Sequence, residues 1–155
     1  MKRIIIIAIV LSLSLLHVAA QASTDVPQAV GHAFGTRYPN CQPHWEKTNA
    51  GFIASFKTDH LARRAYYTPG GDWIRTETHI RQMRGLPAAV RKGFHESAYV
   101  AWSVDSMFDQ VGQDGHTYVI KVSRVVDDRV GALLQAYCLL YFSPQGTLTR
   151  AENVP

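Results

Sequence analysis

The chain has 155 residues, with 16 Lys+Arg against 12 Asp+Glu, and two cysteines. Lys2 and Arg3 belong to an amino-terminal leader. Without them 14 basic residues face 12 acidic ones, or +2, which excludes the dense positive footprint of a nucleic-acid-binding domain. Two cysteines far apart, with no Cys-x-x-Cys and no His-x-x-x-His spacing, exclude a structural zinc site.

In chain order, the basic Met1-Lys2-Arg3 is followed by an apolar run at 4–16, broken only by Ser12 and Ser14, and then by the small residues Ala19-Ala20-Gln21-Ala22-Ser23. This is the n-region, h-region and cleavage site of a secretory signal. The run is shorter than the roughly 20 apolar residues of a membrane span, so no stable membrane insertion is expected after cleavage. Residues 1–22 are read as a signal peptide with cleavage after Ala20 or Ala22, and the mature protein as periplasmic or secreted from a bacterium. The first cysteine is Cys41, far from the cleavage point, which argues against a lipid anchor. In an oxidising compartment a disulfide between Cys41 and Cys138 and a pair of free thiols are both open readings, since Cys138 falls in an apolar strand where a free cysteine behaves as a small hydrophobe.

Residues 23–82 form a first α+β unit. Val26, Val30, Phe34 and Tyr38 recur at helical spacing with Ala29 and Ala33 in the same stripe. Asp25 is the expected N-cap, Pro27 fits the first turn, and Pro39 ends the helix. The apolar period then switches to two, predicting strands at 42–48, 51–57, 61–68 and 72–80, with turns at Asn49-Ala50-Gly51 and Pro69-Gly70-Gly71. Along the last of these strands, Ile74, Thr76, Thr78 and Ile80 are expected beneath the helices. Trp73, Arg75, Glu77 and His79 are expected on the open face.

Residues 83–155 repeat the pattern. Leu86-Pro87-Ala88-Ala89-Val90 echoes Val26-Pro27-Gln28-Ala29-Val30, and Phe94 echoes Phe34. Tyr66-Tyr67-Thr68-Pro69-Gly70-Gly71 through Glu77 returns as Tyr141-Phe142-Ser143-Pro144-Gln145-Gly146 through Glu152. A helix at 87–97 and strands at 100–111, 116–126, 130–143 and 147–153 follow. The longer middle hairpin is expected to turn near Asp127-Asp128. The predicted fold class is α+β: two tandem repeats, each a helix followed by a four-stranded antiparallel meander, sharing one sheet with both helices on one face.

These motifs, [VL]-P-x-A-V-x-x-x-F opening each half, Trp45-Glu46-Lys47 before a Gly-aromatic strand, and Tyr-[Tyr/Phe]-x-Pro-x-Gly before a strand ending in Glu, make the chain resemble the PepSY-like proteins whose fold is like that of the secreted β-lactamase inhibitor proteins. The resemblance spans nearly all of 26–154. It implies a tandem α+β fold with a broad sheet in an exported protein; it does not imply inhibition of a β-lactamase, because fold does not fix function.

Catalytic constellations are sparse. His32, His44, His60, His79, His95 and His116 stand singly, without H-E-x-x-H or a helical i,i+4 pair, and no G-x-S-x-G elbow or activated-cysteine signature occurs. Asp127-Asp128 reads as a solvated turn, and Trp45 and Trp102 as structural. The sequence therefore points to a non-enzymatic exported protein without cofactor. It would bind another exported protein or peptide through Trp73, Arg75, Glu77 and His79 on the helix-free sheet face, as an inhibitor or modulator of that partner. The contrasting reading is a small hydrolase or metal-dependent enzyme whose His and Asp residues meet only in three dimensions; a third is a binder of small apolar ligands or cell-wall fragments in a pocket between helices and sheet.

Overall fold

Helix α1 (Gln28–Arg37) leads into strands β1 (His44–Thr48), β2 (Gly51–Thr58), β3 (Leu61–Tyr67) and β4 (Trp73–Ile80). A 3₁₀ turn at Met83–Gly85 then precedes helix α2 (Ala88–His95) and strands β5 (Ser103–Gly112), β6 (Gly115–Asp127), β7 (Leu133–Phe142) and β8 (Leu148–Val154). This computed structural model describes residues 25–127 and 133–154. The leader expected at 1–22, the turn expected to include Asp128 and the first residues of the strand expected from Val130 lie outside the described residues. All eight strands form one antiparallel sheet in chain order, an α+β architecture.

Each helix buries the stripe its sequence spacing marks out. Val30 and Phe34 of α1 and Val90 and Phe94 of α2 are buried. Phe34 centres a first core with Phe52, Ala54, Phe56, Ala65 and Tyr67. Its ring meets Phe56 edge-on at 5.1 Å and Trp45 at 5.4 Å, and burying such a ring is worth roughly 1.5–3 kcal/mol. A second core holds Leu86, Val90 and Phe94 against Ile120, Val122, Leu140 and Phe142, with Trp102 at its margin. Ile80, at the end of β4, packs into this second core.

The helix starts differ from expectation. Pro27 and Pro87 themselves occupy the N-cap positions, with no side-chain capping bond; Asp25 is not the cap. A proline at this position has no N–H to leave orphaned, its fixed φ carries the chain in, and the Pro27 carbonyl already accepts from Gly31 N at 3.1 Å. The fifth strand begins at Ser103, not Val100. A local turn, tied by Ser97 Oγ donating to Phe94 O at 2.7 Å and Trp102 N donating to Tyr99 O at 2.9 Å, uses up the intervening residues.

The turns before β4 and β8 dock onto the helices. Gly71 (φ +97°) lies against the backbone of Ala29, and Gly146 (φ +86°) against that of Ala89 and Gly93. Both glycines combine left-handed backbone with a close approach that leaves no room for a Cβ. Matching bonds close the two turns, from Thr68 N to Asp72 O and from Ser143 N to Thr147 O, each at 2.9 Å.

The disulfide reading does not hold in this structure. Cys41 and Cys138 are both free thiols. Cys41 packs against the first core and Cys138, fully buried, lies within the second, so each side chain is spent on its own core.

Candidate functional site

Alternation along the strands and the cross-strand register divide the sheet into a helix-covered face and an open one. Arg75, Glu77 and His79 lie on the open face as expected; Trp73 does not. Tyr66 pairs with Arg75, but Tyr67 pairs with Trp73, leaving Ile74 as an extra residue in a β-bulge. The bulge inverts the parity of the strand's first residue. Trp73 therefore packs against the first core, with its Nε1 donating to Thr76 Oγ1 at 2.9 Å and the Arg37 guanidinium 3.5 Å from the centre of its ring. Thr76, buried beneath the helices as expected, also bonds the Tyr38 hydroxyl. The bulge is held from the β5–β6 turn, where Gln113 N donates to Ile74 O at 3.1 Å and Gln113 Nε2 to Trp73 O.

With Trp73 removed, the open face of β3 and β4 is organised by a three-residue clasp. The Arg75 guanidinium stacks 3.8 Å over the Tyr66 ring, Arg75 Nε donates to Glu77 Oε1 at 3.0 Å, and the Tyr66 hydroxyl donates to Glu77 Oε2 at 2.6 Å. Both carboxylate oxygens are thus engaged. Burial, and then the bond to the Glu77 carboxylate, push the Tyr66 hydroxyl above its ordinary pKa. The same clasp recurs at the far edge: Arg150 stacks 3.8 Å over Tyr141, pairs with Glu152 at 3.2 Å, and the Tyr141 hydroxyl donates to Glu152 at 3.0 Å. A bulge between Tyr141 and Phe142 precedes it here too. Sequence reasoning passed over Tyr66 and Tyr141, although the identical spacing of Tyr, Arg and Glu in the two halves was the available signal.

Between the clasps runs an apolar lane. His79 pairs with Phe108, Phe108 with Val119, and Val119 with Tyr141; the His79 and Phe108 rings lie 5.5 Å apart. Val119 is only 6% exposed yet belongs to neither helix-covered core. Its neighbours on the open face bury it. Beside the lane, over β2 to β4, lies an open hollow of about 720 Å³. Ser55 and Ala62 floor it, and Lys57, Arg64, His44 and His79 surround it.

The remaining histidines do not assemble into a catalytic centre. His116 alone meets a carboxylate, with Nε2 at 2.7 Å from Asp109 Oδ1 on the helix side of the sheet, where burial, then Asp109, raise the pKa of the Tyr118 hydroxyl. Among the described residues no serine or cysteine is hydrogen-bonded to this pair. Among the described residues no group of three His, Cys, Asp or Glu side chains could hold a metal ion, and no helix is long and apolar enough to cross a membrane. A second hollow of about 680 Å³ opens on the helix side, lined by Leu61, Ile80, Pro87, Arg81 and Arg84 among others.

Several solved structures share this fold. A BLIP-like protein from Bacteroides fragilis is 27% identical, over 83% of this chain and 86% of that one, with a TM-score of 0.69. A DUF2874 family protein from Bacteroides ovatus is 24% identical over 82% of this chain and 86% of that one, with a TM-score of 0.72. A candidate periplasmic protein from Bacteroides eggerthii is 22% identical over 83% and 88%, with a TM-score of 0.69. No family model matches the chain, and no curated protein matches it. The chain therefore has a BLIP-like α+β fold.

Proposed function

We propose that this chain is an exported, non-enzymatic binding protein that engages another exported protein through the helix-free face of its sheet. The observation that carries the reading is the lane Phe108–Val119–Tyr141: apolar side chains gathered on the face that no helix covers, held between two side-chain clasps that pre-set its geometry. Ordered aromatic and apolar surface of this kind gains most when a partner excludes the remaining water. The leader read at 1–22 and the likeness to a candidate periplasmic protein support export to the periplasm or beyond. The motif resemblance to PepSY-like proteins belongs to the same reading. Inhibition or modulation of the partner is its sharper form.

The test is site-specific photo-crosslinking of the mature chain in a periplasmic extract, with the reactive group at Gln110 or Thr117 on the open face and at His32 on the solvent side of α1. Adducts to one protein from the open-face positions, absent from the helix position, are expected. Equal labelling from all three, or none from the open face, would overturn the reading. Titration of the captured protein's activity then decides whether binding inhibits it.

A further inference from the structure

Resting on that reading, we infer that the hollow over β2 to β4 receives an acidic side chain, Asp or Glu, from the surface of the protein partner, and that Arg64 and Lys57 recognise it. The hollow's charge is lopsided. Lys57 and Arg64 are exposed, and neither takes part in any of the ion pairs among the described residues. Glu77 lies directly across the strand pair from Arg64, yet both of its oxygens are already committed to Arg75 and Tyr66. Glu77 is also the only carboxylate in the lining. The clasp thus neutralises the one anion that would otherwise answer these cations, and leaves them facing an open hollow.

The shape is specific to this half of the sheet. Counting inward from the two clasp tyrosines, the register places Ile53, Ser55 and Lys57 of β2 opposite Tyr66, Arg64 and Ala62 of β3. In the other half it places Val119, Lys121 and Ser123 of β6 opposite Tyr141, Leu139 and Tyr137 of β7. Where the first half has the small Ala62, the second has Tyr137, with the Lys121 ammonium 4.4 Å from the centre of its ring. The corresponding site there is filled and its cation is satisfied by an aromatic face. Of these two strand pairs, the one at β2 and β3 carries Lys57 and Arg64, with Arg63 also in the lining, around the small Ser55 and Ala62.

The occupant is a protein carboxylate and not a polyanion. The hollow adjoins the apolar lane through His79 and Phe108, so a segment with an acidic residue beside an apolar one satisfies both at once. A nucleic acid or acidic polysaccharide would need a continued basic track, whereas the lane continues as Phe108, Val119 and Tyr141. Arg offers a forked donor pair that suits a carboxylate, and Lys adds a point charge.

The experiment uses the mature chain and fluorescein-labelled synthetic peptides built on Phe-Asp-Glu-Phe, its amide isostere Phe-Asn-Gln-Phe and the basic Phe-Lys-Lys-Phe, followed by fluorescence anisotropy, with heparin as competitor. The acidic peptide is expected to bind about tenfold or more tightly than the amide peptide. Arg64→Gln and Lys57→Gln are each expected to weaken it at least about threefold, and added salt to weaken it further. Circular dichroism checks that both variants fold, as exposed positions allow. Equal binding of acidic and amide peptides, indifference to both substitutions, or heparin displacing the peptide with the tighter affinity would each overturn the inference. Its failure is separable from that of the wider reading: open-face crosslinks to one protein that persist undiminished in an Arg64→Gln/Lys57→Gln double variant would remove the acidic hollow while leaving the binding face in place.

Discussion

Replacing Tyr67 with Phe should stabilise this protein, and increasingly so in alkali. Tyr67 is 1% exposed within the first core, its ring 6.4 Å from Phe34 and 6.2 Å from Trp45. Its hydroxyl has no hydrogen-bond partner among the described residues. A buried hydroxyl without a partner costs about 1–3 kcal/mol, so Tyr67→Phe is expected to raise unfolding stability at neutral pH by about 1 kcal/mol. Burial, with the Tyr38 hydroxyl nearby and Arg37 opposing, pushes the Tyr67 pKa up to about 12. In the unfolded chain a tyrosine titrates near 10. Below pH 10 both states keep the proton and this group adds no pH dependence. Between about 10 and 12 the unfolded chain releases its proton while the folded chain holds it, so stability falls at up to ~1.4 kcal/mol per pH unit, on the order of 2–3 kcal/mol across the window. Urea unfolding midpoints of wild type and variant at neutral pH and at several values between pH 9 and 11 measure both effects. A shallower alkaline decline is expected for the variant, with Tyr66 and Tyr141 leaving a residual slope. Tyr66→Phe, which removes a bonded hydroxyl, is the control and should lose stability. A Tyr67→Phe variant that is less stable than wild type at neutral pH, with an unchanged alkaline decline, would refute the reasoning.

Glu77→Gln should cost about 1–2 kcal/mol, because Glu77 is 15% exposed and bonds both Arg75 and Tyr66, whereas Glu152→Gln in the 44% exposed copy should cost under about 0.5 kcal/mol; paired urea titrations compare them. Gly146→Ala should destabilise by roughly 3 kcal/mol or more, since a methyl there meets the Ala89 carbonyl in left-handed backbone. Gly115→Ala, also positive in φ (+117°) but facing open space, should cost only about 1 kcal/mol, and thermal melts separate the two. With iodoacetamide under native conditions, Cys41 should alkylate well before the fully buried Cys138. Mass spectrometry should find both as thiols without reductant, and a mass two hydrogens lower would show the disulfide instead.

Most of the fold was legible because its signals are local. Helical spacing of Val30 with Phe34 and of Val90 with Phe94, period-two alternation in Phe52-x-Ala54-x-Phe56, and turns at Pro69-Gly70-Gly71 and Pro144-Gln145-Gly146 each depend on neighbouring residues alone, and the strands fall within a few residues of expectation. The site was legible only in part. Alternation carried Arg75, Glu77 and His79 to the open face, but it cannot register a bulge, which is a property of the strand pair, and so it misplaced Trp73. Lys57, Arg64, Phe108 and Val119 were invisible for a related reason. They lie 7 to 62 residues apart in sequence, and only the cross-strand register sets them side by side. The free thiols likewise depend on which core each cysteine enters, which spacing does not encode.

The two clasps and the two bulges give the halves a common frame, and that frame makes their differences interpretable. A clasp with its carboxylate fully engaged fixes the position of an arginine on the open face without leaving a free charge, so in each half the local field is set by the residues one pair further in. Over β2 and β3 those residues are Lys57 and Arg64 around the small Ser55 and Ala62. Over β6 and β7 they are Tyr137 and Leu139, with Lys121 already drawn onto an aromatic ring. A face built this way is cationic and hollow on one side, apolar and filled on the other, joined along Phe108 and Val119. A partner must then match both sides in one orientation. Reversing it would set acidic groups against Leu139 and Tyr137 and strand Arg64 and Lys57 against apolar surface, at the cost of desolvating unpaired charge. On the proposed reading, specificity on this face comes from the asymmetry between two similar halves, and exchanging Ala62 with the residue found at the matching position, Ala62→Tyr, should fill the hollow and abolish the acidic-over-amide peptide preference in fluorescence anisotropy while leaving the helix-covered cores untouched.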